Sequence, residues 1–320
     1  MTTRRNSNGN SSRSNSRRSR KQRSNFFVWL FGLTSVMMVS VLAFGAFMRI
    51  LLVDTSASVV QWQDVGQAHS LEYQPIQPVQ WVEDITLVPM HTRYVNDTRY
   101  LQLINREHAV SAVPENLSPV WPAVPVSMIH GMYLHDTALR AVEKMLEAAG
   151  DRGSLFVTSG FRCPDEQKVL YNGGLNSSFV LPPGHSEHHT GLAVDIMAMG
   201  VGQWELANSV QGRWLADNSY RYGLILRYPQ GAEHITGITF EPWHFRYIGR
   251  SHAYFMRQNN LVLEEYIEML QQQGGLSFDR NGITYYILHQ VPQNGMIYVP
   301  DGLAFTISSD NLGGYIISAW

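Results

Sequence analysis

From Asp136 to Ala149 apolar residues recur every three to four positions, with Leu139, Val142, Met145 and Leu146 on one face. That spacing predicts an amphipathic helix, which Asp136 is placed to cap and Gly150 to end. Gly191–Met197 alternates instead. Leu192, Val194 and Ile196 fall on one side and Ala193, Asp195 and Met197 on the other, the pattern of a half-buried strand. Ser154–Thr158 reads as a short buried strand and Asp165–Tyr171 as a second helix. Trp204–Asn218 reads as helical, Leu224–Tyr228 as extended, and Thr236–Ile248 as extended with a break at Pro242. Leu263–Gln273 is a further helix, stopped by Gly274 and Gly275. Folded sequence is expected to begin near Tyr100, where Leu101 and Leu103–Asn105 look strand-like. From Leu276 to Trp320 the chain turns β-rich, with Asn281-Gly282 and Asn294-Gly295 as hairpin-turn signals. No internal repeat is visible.

The N-terminal quarter has a different pattern. Phe26–Met48 carries no charge and is mostly apolar. As a helix these 23 residues would extend about 35 Å at about 1.5 Å per residue, enough to cross a bilayer. A cleaved secretory signal is the competing reading, but its apolar core is shorter and a small-residue cleavage site should follow. Here Arg49 and Ile50–Val53 follow. Residues 54–80, with repeated Gln, read as a stalk or extended lead-in.

Charge adds an orientation. The chain of 320 residues has a formal net charge of −2. Residues 1–25 hold eight Arg or Lys and no acid, so subtracting +8 from −2 leaves −10 for the remainder. This Ser/Asn/Arg-rich tail reads as disordered. By the positive-inside rule it stays in the cytoplasm, and everything after about residue 54 lies outside. An RNA-binding arm is the bland alternative for the tail, and the apolar run that follows weighs against it. No nucleic-acid partner is expected, and protein partners cannot be read. The expected organisation is a cytoplasmic tail at 1–25, a transmembrane helix at 26–53, a stalk at 54–99, a folded domain at 100–273 and a small β appendage at 274–320. With 44% hydrophobic residues a packed core is affordable, and the lone Cys163 allows no internal disulfide.

Candidate chemistry is concentrated in Ser186-Glu-His-His-Thr-Gly-Leu-Ala-Val-Asp195, followed about fifty residues later by Glu241-Pro-Trp-His244. A hydrolytic zinc site needs three His or carboxylate ligands, an open position, and a nearby carboxylate to take a proton from water. His188, Asp195 and His244 can supply the ligands, and Glu241 the base. Asp195 lies on the strand face opposite the apolar trio, beside small Ala193. Glu241 and His244 would point to opposite faces of a regular strand, but Pro242 disfavours regularity, and a local bulge or turn could bring both to one ion. Any one of these residues alone is as well explained as an ordinary surface or core residue, and His185 and His189 are close enough to be mistaken for ligands.

Together the motifs Ser-x-His-x-x-Gly-x-Ala-x-Asp and Glu-x-Trp-His resemble the D-alanyl-D-alanine carboxypeptidases of the VanY type. These belong to a group of zinc peptidases sharing a fold with VanX and the Hedgehog signalling domain. Ser159-Gly-Phe-Arg-Cys-Pro-Asp-Glu-Gln167, Tyr222-Gly-Leu-Ile-Leu-Arg-Tyr-Pro229 and Ile235-Thr-Gly237 extend the likeness over roughly residues 100–270. The resemblance implies one zinc ion held by His188, Asp195 and His244, and Glu241 as the base that activates water. It places Arg162 at the reaction centre, Gln167, Ser186 and Ser159 around the substrate, and Trp243 packed beside the metal. It further implies an α+β fold in which a mainly antiparallel sheet with packed helices carries the zinc site. The expected substrate is the peptidoglycan stem peptide, losing its terminal D-alanine.

Departures from the family pattern fall around the site. Phe161 replaces the commoner Tyr, Cys163 a Ser, and His189 a Gln, while Ala232 stands where Lys is common. They leave the hydrolytic set complete but unsettle substrate preference, so an LD-carboxypeptidase, an endopeptidase or a non-catalytic wall-binding module remain alternatives. A penicillin-binding serine mechanism needs Ser-x-x-Lys. The residues three before Lys21, Lys144 and Lys168 are Arg18, Ala141 and Asp165, so that mechanism is excluded.

Overall fold

The computed structural model describes residues 85–120, 132–150, 155–173 and 178–320. The expected tail (1–25), transmembrane helix (26–53), first part of the stalk, and Ser154 lie outside these residues. Among the described residues no helix is long and apolar enough to cross a membrane.

The fold is mixed helix and antiparallel sheet. In chain order the elements of the first half are β1 (Leu87–His91), β2 (Leu117–Pro119), β3 (Tyr133–His135), α1 (Asp136–Ala149), β4 (Leu155–Ser159), α2 (Pro164–Asn172) and β5 (Ala193–Ala198). Then come α3 (Val210–Asn218), β6 (Leu224–Leu226), the one-turn α4 (Glu233–Thr236), β7 (His244–Tyr247), α5 (Arg250–Asn259) and α6 (Leu263–Gln273). The last five strands are β8 (Gly275–Arg280), β9 (Ile283–Gln290), β10 (Met296–Pro300), β11 (Phe305–Ser309) and β12 (Tyr315–Ala319).

A four-stranded sheet in the order β4-β5-β7-β6, antiparallel throughout, carries the candidate site. Its apolar face sets Val157, Val194, Ile196, Leu224 and Phe245 against Val142 and Met145 of α1 and Leu215 of α3, all essentially inaccessible to solvent. The period-two pattern of β5 therefore turns Asp195 to the other face. The helices expected at 136–149 and 263–273 have those bounds, and His135, not Asp136, is the N-cap of α1, accepting from the Thr137 N–H. The single helix expected over Trp204–Asn218 is broken. Its first part is the 3-10 turn Glu205–Asn208, and Ser209 then caps α3 by accepting from the Gly212 N–H at 2.9 Å.

Two expectations about domain limits need correction. Residues 54–99 were expected to be stalk, yet β1 lies within them and pairs antiparallel with β10, from Leu87↔Pro300 to His91↔Met296. The partner strand is some two hundred residues away, so no local signal in 87–91 reveals the pairing. The strand expected at Leu101–Asn105 is absent; this segment is irregular but buried, and Leu101 takes its place in the core through a Ser308 hydroxyl that accepts its N–H at 2.9 Å.

Nor is 274–320 a free-standing appendage. Its sheet, β11-β12-β9-β8, shares one apolar core with α5 and α6: Leu276, Ile287 and Ile316 pack with Ala253, Leu263, Ile267, Leu270, Leu101 and Leu103. Asn281-Gly282 does close the β8–β9 hairpin, with φ of 53° and 76°, the left-handed pair that an Asn-Gly turn provides.

Candidate metal centre

The register of the first sheet assembles the site. Asp195 of β5 lies opposite His244 of β7 and, across the other edge, opposite Ser159 at the end of β4, where the ladder slips between Val157 and Ser159. His188 comes from the 3-10 turn Glu187–Thr190, whose start is capped by the Ser186 hydroxyl accepting from the His188 N–H at 3.3 Å. Gly191, at φ 68°, ends that turn, and any Cβ there would lie 2.7 Å from Leu117 Cδ2. Glu241 reaches the site because Glu241–His244 is a turn, closed by the His244 N–H donating to the Glu241 carbonyl at 3.2 Å.

Nε2 of His188 lies 3.4 Å from Asp195 Oδ2, and Nδ1 of His244 lies 3.1 Å from Asp195 Oδ1 and 3.6 Å from Glu241 Oε2. One donor atom from each of His188, Asp195 and His244 falls within 4.8 Å of the others. Both rings are buried and meet edge-on at 4.9 Å. Nδ1 of His188 is 2.7 Å from the Gly160 carbonyl, which fixes the proton there and leaves Nε2 as the free donor.

Electrostatics favour a cation at this point. Burial works against the Asp195 charge, but His188 and His244 outweigh it and hold the carboxyl well below the usual range. Burial likewise opposes a charged His244, yet the carboxylates of Asp195 and Glu187 beside it push the ring up to about 9 on the protein's own charges. Asp195 Oδ1 is buried with no hydrogen-bond partner among the described residues. A donor set with an orphaned buried carboxylate oxygen and a ring pulled toward positive charge fits a divalent ion. Glu241 contrasts with these: burial pushes its carboxyl up to about 8, and an adjacent cation would draw it back toward the ionised form.

These residues line a cleft of about 360 Å³. Arg162 enters it from the loop after β4. Its guanidinium donates to Gln167 Oε1 at 2.8 Å and to Ser159 Oγ at 3.1 Å. Burial lowers the Arg162 pKa, against Asp195, Glu166 and Glu241. Gln167 in turn donates to the Leu181 carbonyl at 2.7 Å. Two residues expected around the substrate, Ser159 and Gln167, thus grip the arginine, while Ser186 lines the cleft and caps the ligand turn. Opposite, Trp204 bridges Phe179 and Trp243, with ring centroids 5.6 and 4.9 Å apart.

His189 is not among the three donors. Its Nδ1 lies 2.6 Å from the Arg162 carbonyl and its Nε2 accepts from the Gly184 N–H at 3.0 Å, so it braces the arginine loop. Cys163 is half-buried at the N-cap of α2, with its N–H donating to Glu166 at 2.8 Å. Sequence reasoning missed Glu187, Arg227 and Arg246, which lie fully buried behind His244. Their signal is an acid between motif positions and a single arginine inside each of two apolar strand runs.

Two donors on a sheet and a third on the turn beside it, with a carboxylate and a guanidinium at the same cleft, have the make-up of a hydrolytic zinc centre. The family model for VanY, D-alanyl-D-alanine carboxypeptidase, matches residues 131–250. A D-alanyl-D-alanine carboxypeptidase of Enterococcus faecium is 38% identical over 172 residues, which are 53% of this chain and 55% of that protein, so the match spans about half of that relative. The bifunctional D-Ala-D-Ala dipeptidase and carboxypeptidase VanXYC of Enterococcus gallinarum is 32% identical over 187 residues, 54% of this chain and 95% of that protein. The chain belongs to the VanY family of D-alanyl-D-alanine carboxypeptidases. The crystal structure of the vancomycin-resistance D,D-dipeptidase VanXYg, with a D-Ala-D-Ala phosphinate analogue, superposes with a TM-score of 0.63 at 24% identity. That likeness in fold covers 74% of this chain and 99% of the other, so it extends past the 131–250 segment.

Proposed function

We propose that the protein is a zinc-dependent D-alanyl-D-alanine carboxypeptidase that removes the terminal D-alanine from peptidoglycan stem peptides. The observation that carries this reading is the convergence of Glu241, Arg162 and the three donors on one cleft. His188 through Nε2, Asp195, and His244 through Nδ1 would hold the ion. A zinc ion held there polarises the scissile carbonyl and makes water more acidic.

The remaining steps fall to the chain's own groups. Glu241, 3.6 Å from His244 Nδ1, accepts the proton of the attacking water and passes it to the leaving amine. Burial raises its pKa and the adjacent ion draws it back, so the carboxylate is ionised when it takes the proton. Arg162, held by Gln167 and Ser159, presents a fixed positive charge to the oxygen on which negative charge develops. Phe179, Trp204 and Trp243 form a wall against which the alanyl methyl groups lose water contact. The amino-terminal Arg-rich tail and the apolar run Phe26–Met48 support a single-pass anchor with the enzyme domain on the outer side, where stem peptides are polymerised.

The test is product analysis by mass spectrometry, with the purified zinc-loaded chain given penta- and tetrapeptide stems. Release of one D-alanine from the pentapeptide alone is expected. Cleavage of the tetrapeptide alone, or of neither, refutes the assignment.

A further inference from the structure

Behind the three donors lies a second layer of buried charge that the hydrolytic set leaves unused. Glu187 is 1% exposed, and Arg227 and Arg246 are 0% exposed. Glu187 Oε1 accepts from Arg227 Nε at 2.8 Å and lies 3.1 Å from an Arg246 nitrogen. Arg227 also forks onto Glu264 of α6, with its two terminal nitrogens donating at 2.8 and 2.6 Å. Burying this many charges costs more than apolar packing of the same volume, so stability alone is a poor reason for the network.

The other oxygen of Glu187 points elsewhere. Oε2 has no hydrogen-bond partner among the described residues and faces His244 Nε2 at 3.5 Å, a nitrogen that has none either. His188 offers the simpler version of this arrangement, with one ring nitrogen tied to the Gly160 carbonyl and the opposite one facing Asp195. In His244 the nitrogens exchange roles: Nδ1 faces Asp195, and Nε2 faces, at 3.5 Å, a carboxylate that two guanidiniums hold in place.

We propose that Glu187 is a positioning residue for His244, accepting a hydrogen bond from a proton kept on Nε2 so that Nδ1 is presented toward Asp195 and the metal. The inference rests on the zinc reading of the His188, Asp195, His244 triad. A carboxylate behind a ligating imidazole fixes its tautomer and strengthens the nitrogen that binds. The arginine layer then has a function. Arg227 and Arg246 hold one Glu187 oxygen and stop the side chain from turning into the cleft to become a competing ligand.

Two measurements on the purified chain test this, with zinc alone as the ligand. Nitrogen-15 NMR of the zinc-loaded wild type should show His244 protonated at Nε2 and bound through Nδ1. Chelator competition should show zinc affinity reduced about ten- to a hundred-fold in Glu187→Gln, a typical cost of losing such a partner. Glu187→Asp keeps the charge that Arg227 and Arg246 need but draws the oxygen back from the ring. It should fold and still lose affinity, so the test survives if Glu187→Gln is unstable. Binding of zinc through Nε2, or wild-type affinity in Glu187→Asp, overturns the proposal. Asp195→Asn is the control. If it loses zinc while the Glu187 variants keep it, the positioning role alone is wrong; if it also binds zinc normally, the triad reading falls too.

Discussion

Each of the two four-stranded sheets buries a His–Asp cluster, and the two clusters are finished in opposite ways. In the C-terminal sheet, His289 Nε2 meets Asp310 Oδ2 at 2.9 Å, and Asp310 Oδ1 accepts from the Leu312 and Gly314 N–H groups at 2.7 and 2.8 Å. Gln271 of α6 adds a contact at 3.4 Å. Both Asp310 oxygens are engaged, and Gly314 is required by closeness, since a Cβ there would run into His289 Nε2. In the first sheet, Asp195 faces two histidines and still has a buried oxygen without a hydrogen-bond partner among the described residues. Identical residue types make a fastener in one place and a metal centre in the other. The difference is that buried polar valence is left open where a ligand belongs.

The largest expected effect separates base from ligands within the open cluster. Glu241→Gln should retain zinc and fold while turnover falls about 10²–10⁴-fold, the usual cost of a lost general base. Zinc content by elemental analysis and stem-peptide turnover should be read on the same sample. A variant that cleaves at close to the wild-type rate would remove Glu241 from the mechanism.

The next prediction sets the two aspartates against each other. Asp195→Asn should abolish tight zinc binding, because one of three donors loses its charge. Asp310→Asn should not. It leaves zinc affinity intact and costs about 2–4 kcal/mol of stability, since several buried donors lose an ionised acceptor together. Denaturant titration and chelator competition on both variants decide this. Equal zinc loss in the two would erase the distinction between fastener and metal centre.

How far the sequence carries depends on whether a feature is local. The helices over Asp136–Ala149 and Leu263–Gln273 were legible because capping and apolar period lie within one segment. His188, Asp195, His244 and Glu241 were legible as a motif, and the turn at Pro242 was foreseeable from the need to bring Glu241 and His244 together. Glu187 was not, although it sits beside His188, because nothing in a heptad-length window shows that Arg227 and Arg246 will be buried against it. The same holds for β1, whose partner β10 is brought up only by tertiary folding, and for the core that α5 and α6 share with the last sheet. Ser159 and Gln167 were expected near the substrate, and the structure places them on Arg162.

The smallest expected effect concerns the seam that joins α5 and α6 to the last sheet. His252 of α5 is 5% exposed, with Nδ1 at 2.7 Å from the Tyr266 hydroxyl of α6 and Nε2 at 2.7 Å from the Ser318 hydroxyl of β12. Burial lowers its pKa from 6.5 to about 3, so the ring is neutral when folded. The unfolded chain takes up a proton below about pH 6.5, whereas the folded chain does not until about pH 3. The stability this ring contributes is therefore whole above pH 6.5 and is lost progressively as pH falls toward 3. By pH 5 the loss should be about 2 kcal/mol, at about 1.4 kcal/mol per pH unit. Other buried histidines add to the pH dependence: His188 and His189 with the same sign, because burial lowers them, and His244 with the opposite sign, above pH 6.5. The reading must therefore be a difference. His252→Gln keeps a donor and an acceptor at the seam but cannot titrate, so its unfolding free energy should fall about 2 kcal/mol less than that of the wild type between pH 7 and pH 5. Parallel stability–pH curves for the two proteins would show that the seam is held without a neutral imidazole, and that the acid sensitivity of the fold comes from the metal centre instead.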